Sequence, residues 1–515
     1  MLELLDRSSV AACLLTLCTI AGLYLWRNRT AKHAGIPLPP GPPRLPLVGN
    51  LLQMPKSHDW LTYEAWAKEF GSDVLHVDVL GRHIVVLNSI KAATELFEQR
   101  PSIYSDSRFS CLCIAWCLTL EILGFDWIMA SIPYNENLKS MRKMIETFFR
   151  PTALKEYHPV ETVAVNQLLN SLMDRPEEFT AHLRQMAGAI ILELGYGFKV
   201  KPSGDPHIKS AEKAMHALTT SISHSARIFD FFPLAMYLPS WFPGASYKKY
   251  ARDVHHCSVD TRENPWIAAK EALVRQETSP SFAGNVLDRL ETDPSPEEES
   301  LAKLAAGNLF TVCALEIFVL AMTLYPESQK RAQAEIDSII GRDRIPSFED
   351  KDILPYVNAL TTEVFRWRNV TPLAVPHLLT VDDVYKGYFL PAGSTVIANV
   401  WAMLHDENVY GSDALEFKPE RFLDRDSPFP EIAFGFGRRI CPGLHLARES
   451  AWIAIVSILA TFDISKVKDK DGKDIEPVDE QYSALVPRPL PFKCHIKPRS
   501  AAAAKLIRMT QIVEA

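Results

Sequence analysis

The sequence lacks an excess of positive charge: 55 Lys and Arg stand against 62 Asp and Glu, for a net charge of −7. That balance excludes a chain built to bind nucleic acid through a broad basic face. A C-x-x-C pair is also missing, and the nine cysteines are an odd number scattered from Cys13 to Cys494. Cys111 and Cys113 lie too close in sequence to bridge easily. A disulfide framework is therefore excluded and a reducing compartment expected. No internal repeat is present, which excludes a solenoid. No glycine-rich nucleotide or flavin fingerprint occurs, so no dinucleotide site is expected within this chain. Proline-rich linkers are absent after residue 46, so a length that would allow about three domains reads as one large domain.

What is present begins with residues 8–26 (SSVAACLLTLCTIAGLYLW), 19 positions without a charge. At about 1.5 Å per residue a helix of that length just covers a hydrocarbon core of about 30 Å. Glu3 and Asp6 precede it, opposed by Arg7, while Arg27, Arg29 and Lys32 follow. Positive charge favours the cytosolic side, so the body of the chain is expected in the cytosol behind a single anchor. Residues 1–7 are then a short lumenal segment, and 27–46 a basic flank and stiff hinge carrying Pro37-Leu38-Pro39-Pro40-Gly41-Pro42-Pro43. Residues 47–499 form the main domain and 500–515, with the Ala501–Ala504 run, a flexible tail.

Within the main domain most segments read as helix. Ser295-Pro296-Glu297-Glu298 combines a capping serine, a first-turn proline and acids that complement the dipole, so it starts a helix. That helix is expected to run on to Leu324. Others are expected over 355–367 and from Cys441 through 447–459. Strands are expected at 76–79 and 84–87 around Gly81-Arg82, and at 384–390 and 395–399 around Pro391-Ala392-Gly393.

The segment richest in chemistry is Phe434-Gly435-Phe436-Gly437-Arg438-Arg439-Ile440-Cys441-Pro442-Gly443. Its glycines allow the backbone to turn tightly against a flat partner. Arg439 can pair with an anion lying across the loop. Cys441 stands where a helix begins, so unpaired N–H groups favour its thiolate. A lone intracellular cysteine is more often a small buried hydrophobe, but that does not account for the glycines, the arginine and the helix start together.

This segment resembles the haem-binding loop of the cytochrome P450 family, F-x-x-G-x-R-x-C-x-G, at Phe434, Gly437, Arg439, Cys441 and Gly443. The resemblance implies a mainly α fold with small β-sheets and a b-type haem, iron protoporphyrin IX, with Cys441 as its metal ligand. Glu363-Val364-Phe365-Arg366 looks like the family's E-x-x-R helix. Pro419-Glu420-Arg421-Phe422 looks like its P-E-R-F turn, whose arginine joins that pair. Glu363, Arg366 and Arg421 thus form a structural triad. Residues three apart share a helical face, consistent with such a pair. Haem propionates need donors, and Arg439 is the first candidate. His377 matches a family position that commonly binds a propionate, though it reads equally as an ordinary loop histidine. Arg142 is retained from the family's W-R-x-x-R helix, where Leu138 and Lys139 replace the usual tryptophan and arginine. Trp241-Phe242-Pro243-Gly244 and Trp401-Ala402-Met403-Leu404-His405-Asp406 are similar to fungal microsomal members.

The resemblance implies a membrane-bound monooxygenase of the endoplasmic reticulum acting on an apolar small molecule. An NADPH-dependent flavoprotein reductase would supply its electrons, docking on Arg438, Arg448, Lys139 and Lys143. One segment departs from the pattern. The central helix of family monooxygenases carries [AG]-G-x-[DE]-T-[TS], whose acid and first threonine relay protons during oxygen activation. Here Ala306-Gly307-Asn308-Leu309-Phe310-Thr311 puts Leu309 and Phe310 at those two positions, and neither can move a proton. The stretch is also about two turns short. No catalytic residue is therefore assigned, Thr311 being only adjacent. Three alternatives stand beside the monooxygenase: a haem-thiolate isomerase or dehydratase, a haem-binding pseudoenzyme, and a damaged or mis-spliced chain.

Overall fold

A computed structural model describes residues 35–107, 123–223, 247–277, 279–292, 295–307, 313–423, 429–482 and 486–513, together with residue 19. The expected anchor at 8–26 lies, apart from Thr19, outside the described residues. The fold is mainly helical with three small sheets.

Local chemistry accounts for the central helix. Ser295 accepts a hydrogen bond from the Glu298 N–H at 3.2 Å, Pro296 occupies the first turn, and Glu297, Glu298 and Glu299 face the positive helix end. The helix Pro296–Ala306 follows. Beyond the undescribed 308–312 a second helix, Cys313–Leu324, is apolar apart from Glu316 and Thr323, and all its residues from Cys313 to Thr323 are buried, Glu316 against Arg184. Such a helix belongs in a core. It packs on the helices Phe179–Tyr196, Pro355–Trp367 and Leu444–Thr461. The last of these is the one described helix long and apolar enough to cross a membrane, and here it is mostly buried within the protein. It starts three residues after Cys441, with the Leu444 N–H donating to the Cys441 carbonyl at 3.3 Å.

A four-stranded sheet runs Val74–Val79, Arg82–Leu87, Thr395–Ala398, His377–Leu378 in spatial order. Its first pair is antiparallel, with Arg82 inside the strand rather than in the turn, while Arg82–Leu87 and Thr395–Ala398 run parallel. Asn399 leaves the sheet to cap the helix Val400–Leu404. The single strand expected at 384–390 is instead a hairpin, Asp383–Tyr385 against Tyr388–Leu390. It turns through Lys386 and Gly387, both at positive φ (50° and 77°), the backbone that two-residue hairpins require.

Two C-terminal features go beyond the sequence reading. Phe462–Lys468 pairs with Asp474–Ile475 and with Cys494–Pro498 as a three-stranded sheet. The expected flexible tail is a helix, Ala501–Val513. Ile507 and Ala503 bury against the helices His158–Asp174 and Leu444–Thr461. Asn170 Nδ2 donates to Thr510 Oγ1 at 3.0 Å and to the Ile507 carbonyl at 3.3 Å. That buried side and those bonds hold an alanine run in place that composition alone leaves free.

Candidate functional site

The cysteine loop is shaped by its own backbone. The Cys441 N–H donates to the Phe434 carbonyl at 2.9 Å, Arg439 N–H to Phe436 at 3.1 Å, and Ile440 N–H to Gly437 at 3.2 Å. Gly437 sits at φ +50° and a Cβ there would lie 2.6 Å from the Phe97 carbonyl, so only glycine fits. Gly443 precedes the helix and its N–H bonds to the Cys441 sulfur. Solvent reaches Cys441. Protein still crowds it enough that burial raises the thiol, opposed by the Gly443 N–H and the positive charge of Arg142. Phe434 anchors the loop sideways, its ring 5.3 Å from Phe365 on the helix Pro355–Trp367 and 6.0 Å from Phe429.

Arg439 is 7 % exposed in its side chain and held by three backbone carbonyls: Nε to Ser105 at 2.8 Å, Nη1 to Met129 at 3.1 Å, Nη2 to Ile132 at 2.9 Å. A guanidinium has five N–H donors, so two remain. Asp106, the acid facing it, stands 4.0 Å off. Its Oδ1 already accepts from the Ser107 and Tyr134 N–H groups, at 2.9 Å each. Burial pushes Arg439 down to about 10; Asp106 opposes this and Arg142 adds to it. A buried cation in that position favours an anionic partner.

Arg142 makes an ion pair with Glu146 at 3.1 Å on its own helix. Its charge also bears on both Arg439 and Cys441. His377 is buried, stacked on Phe97 at 4.0 Å between centroids, with Nδ1 2.7 Å from the Tyr104 carbonyl. Nδ1 must carry the proton there, which leaves Nε2 for a ligand. Burial holds this ring down at about 4, the Tyr104 bond opposing and Arg439 adding. Phe97 joins His377 to the loop through Phe436 at 5.6 Å. Tyr134, which the sequence reading passed over, gathers three cations around one ring: Lys139 at 5.3 Å, Arg438 at 5.5 Å and Arg439 at 5.8 Å.

The Glu363–Arg366–Arg421 group is closed. Glu363 and Arg366 are both 0 % exposed. Arg366 places each of its five N–H donors: Nε to Glu363 Oε2 at 2.6 Å, Nη2 to Oε1 at 2.7 Å, Nη1 to Leu404 and Ala414 carbonyls at 2.8 and 2.7 Å, and Nη2 to Glu416 carbonyl at 3.0 Å. Arg421 Nε reaches Glu363 Oε1 at 3.2 Å, and the Lys418 N–H adds a bond at 2.7 Å. A fourth charge completes the group. Asp413 bonds Arg421 at 2.9 Å, and hydrogen bonds from Lys418 and Arg421 hold its carboxyl down at about 2. No local signal marks Asp413 in the sequence.

The expected relay positions Leu309 and Phe310, with Thr311, lie outside the described residues. The described donor set fits a haem: one cysteine sulfur on a glycine-shaped loop, and the cations Arg439 and Arg142 beside it for two carboxylates. Among the described residues no cluster of three His, Cys, Asp or Glu competes as a metal site. The candidate docking cations are unequal. Arg438 and Lys143 are exposed, Lys139 pairs with Glu136 at 2.7 Å, and Arg448 is half-buried over the Phe429 ring at 3.9 Å.

Comparison with known proteins gives one answer. The family model described as Cytochrome P450 matches residues 39–495. Cytochrome P450 monooxygenase ple1 of Rhodocybe pseudopiperita is 38% identical over 504 residues, 95% of this chain and 94% of that protein. Cytochrome P450 monooxygenase 208 of Postia placenta is 40% identical over 496 residues, 94% of each. Cytochrome P450 monooxygenase COX2 of Coprinopsis cinerea is 36% identical over 521 residues, 98% of each.

Proposed function

The chain belongs to the cytochrome P450 family, and from that premise we propose that it is a haem-thiolate monooxygenase whose iron ligand is Cys441. The observation that carries the assignment is the cysteine loop itself: a sulfur before a helix, a bond from the Gly443 N–H, and Arg439 buried two residues away with its counter-charge, Asp106, no nearer than 4.0 Å. Arg439 and Arg142 would hold the propionates of a b-type haem, with His377 Nε2 as a third group. When bound, the haem supplies oxygen activation, its thiolate pushing electron density toward the iron. The role of Glu363, Arg366, Arg421 and Asp413 is to fix the segment that leads into the loop.

The remaining parts of the reading follow from the same premise. Residues 8–26 anchor the chain in the endoplasmic reticulum membrane, with the hinge 27–46 and the haem domain on the cytosolic side. Electrons come from an NADPH-dependent flavoprotein reductase docked on the face of Arg438, Lys143 and Lys139. Arg448 contributes less, since its guanidinium is engaged with Phe429. The substrate is an apolar small molecule. Leu309 and Phe310 favour a second reading, an isomerase or dehydratase acting on a peroxide or similar preactivated substrate, because neither side chain can deliver a proton.

The test is spectroscopic first. Reduced protein under carbon monoxide should show the strongly red-shifted Soret band of thiolate ligation, and Cys441→His should lose it while retaining some haem. A histidine-like band in the wild type would refute the assignment. Turnover then separates the two chemistries. Positioned proton transfer contributes about 10²–10⁴-fold, so Leu309→Asp with Phe310→Thr should raise coupling of NADPH to product. Brisk peroxide-driven turnover in wild type, with no gain in the double variant, would give the lead to the second reading.

A further inference from the structure

A cleft of about 540 Å³ lies beside the Arg439 cage, and none of its lining comes from the cysteine loop. That size suits a drug-sized ligand. Its inner end adjoins the site through three residues. Ile132 lines it and gives its carbonyl to Arg439 at 2.9 Å; Met141 and Ser107 line it and neighbour Arg142 and Asp106 in sequence. Trp127, Leu301 and Leu304 give it apolar walls. The Trp127 wall is fixed, its Nε1 donating to Ser258 Oγ at 3.0 Å. A Cβ on Gly307 would meet its ring at 2.7 Å, so that glycine admits it.

The lining is also rich in donors. Lys303, on the helix Pro296–Ala306, and Arg262, on the helix Tyr247–Val274, both line the cleft. Both share one carboxylate: Glu263 accepts from Lys303 at 2.8 Å and from Arg262 Nε at 2.8 Å. Two cations on one acid leave one unit of positive charge there. Each cation side chain is 24 % exposed, partly withdrawn from bulk screening. Only Nε of Arg262 has a protein acceptor among the described residues, so its planar fork of Nη groups is presented for a planar anion. Ser300 and Asn137 add a hydroxyl and an amide. Asp126 is the one acid in the lining, and it is exposed beside Trp127.

We propose that this cleft takes an amphipathic carboxylic acid, its carboxylate on Arg262 and Lys303 and its apolar body along Trp127, Leu301 and Leu304 toward Met141. This deepens the monooxygenase reading and rests on it: the substrate is an apolar molecule with one acidic end, held by that end away from the haem. Specificity then lies in two residues far in sequence from the cysteine loop.

The experiment uses the full chain in lipid nanodiscs with octanoate, octanol and octylamine as probes, followed by tryptophan fluorescence, and Trp127→Phe as the blank for lipid partitioning. Octanoate should bind about tenfold more tightly than octanol, the gain expected of one hydrogen bond to a charged group. In Arg262→Gln/Lys303→Gln that gap should close to within about twofold. Ser300→Phe, which narrows the cleft and leaves the three charges of the ion cluster in place, should weaken both octanoate and octanol. Equal binding of octanoate and octanol to the wild type, a preference for octylamine, or unchanged octanoate binding in Ser300→Phe would each overturn the proposal. The carbon monoxide spectrum of the same samples keeps the two readings apart. A red-shifted band without carboxylate preference sinks the cleft assignment alone, and its absence sinks the haem-thiolate reading.

Discussion

Arg366→Lys is a change that keeps the charge and removes the geometry. Arg366 meets five acceptors, four of them buried, with five N–H donors: the two oxygens of Glu363 and the carbonyls of Leu404, Ala414 and the partly buried Glu416. A lysine ammonium has three donors on a single point. At least two acceptors, mostly backbone carbonyls, lose their partner in a place water does not reach. Each orphaned group costs about 1–3 kcal/mol, so the substitution should cost about 2–6 kcal/mol. A domain's whole stability is about 5–15 kcal/mol, so the loss is large. It should also be local in its effect, because the three carbonyls lie on the segment that carries Arg421 toward the cysteine loop. Urea unfolding, followed in parallel by far-ultraviolet circular dichroism and by the reduced carbon monoxide band, measures both. The band should disappear at lower urea than the helical signal, and haem content at zero urea should fall. Arg366→Leu, which takes the Arg366 bonds away from Glu363 Oε2 and all three carbonyls, should cost more than Arg366→Lys or fail to accumulate. If Arg366→Lys unfolds within about 1 kcal/mol of wild type with full haem, the closed network is not what holds the loop, and the premise that orphaned acceptors are costly fails here.

Glu161 supplies a pH test. It is fully buried, its Oε2 has no partner among the described residues, and burial pushes its carboxyl up to about 8 against the Ser450 hydroxyl that donates to it. Its stability contribution is whole below about pH 4.5, where folded and unfolded chains are both protonated. It is lost as pH rises toward 8, by about 3 kcal/mol at pH 7. Glu161→Gln should flatten the profile and unfold later at pH 8; parallel profiles for the two proteins would refute it. Arg438→Glu should slow first-electron transfer from the reductase without changing haem content. Transfer in the wild type should also slow as salt shortens the screening length below about 8 Å, and salt-independent reduction would point to another docking face. Removing residues 1–32 should move the protein toward the soluble fraction with haem retained, whereas full resistance to carbonate extraction would refute a single anchor.

The parts of this fold legible in the sequence are those in which a local pattern implies a local geometry. Ser295 with Pro296 marks a helix start because capping needs only the next three residues. The glycines at 435 and 437 mark the loop because positive φ costs any other residue more than glycine. Glu363 and Arg366 are legible because three residues apart is one helical face. Asp413 is not, since it meets Arg421 only through a turn of irregular backbone. The hairpin at Lys386-Gly387 was hidden because lysine there carries none of the Asn or Asp signal that usually marks such turns. Cys494–Pro498 pairs with a strand whose first residue is Phe462, so nothing local marks it. The C-terminal helix was missed because its alanines look like low complexity, whereas Ile507 decides its packing. Tyr134 was missed for a related reason: an aromatic among turn residues says nothing until three cations from two segments converge on it.

The two halves of the candidate chemistry rest on different parts of the chain. What would hold a haem is built from the segments 105–142 and 377–443, and its charges close among themselves or wait on carboxylates. The residues assigned to holding it do not include the stretch 308–312. Leu309 and Phe310 therefore need not weaken haem retention, and haem retention says nothing about proton delivery. A pseudoenzyme, an isomerase and a slow monooxygenase would share one carbon monoxide spectrum and differ only in what they turn over. The cleft sharpens that distinction. Its Trp127 wall rests on Gly307, two residues before Leu309. A substrate seated there would hold its acid as a carboxylate between Arg262 and Lys303, so it would supply no proton in place of Leu309 and Phe310.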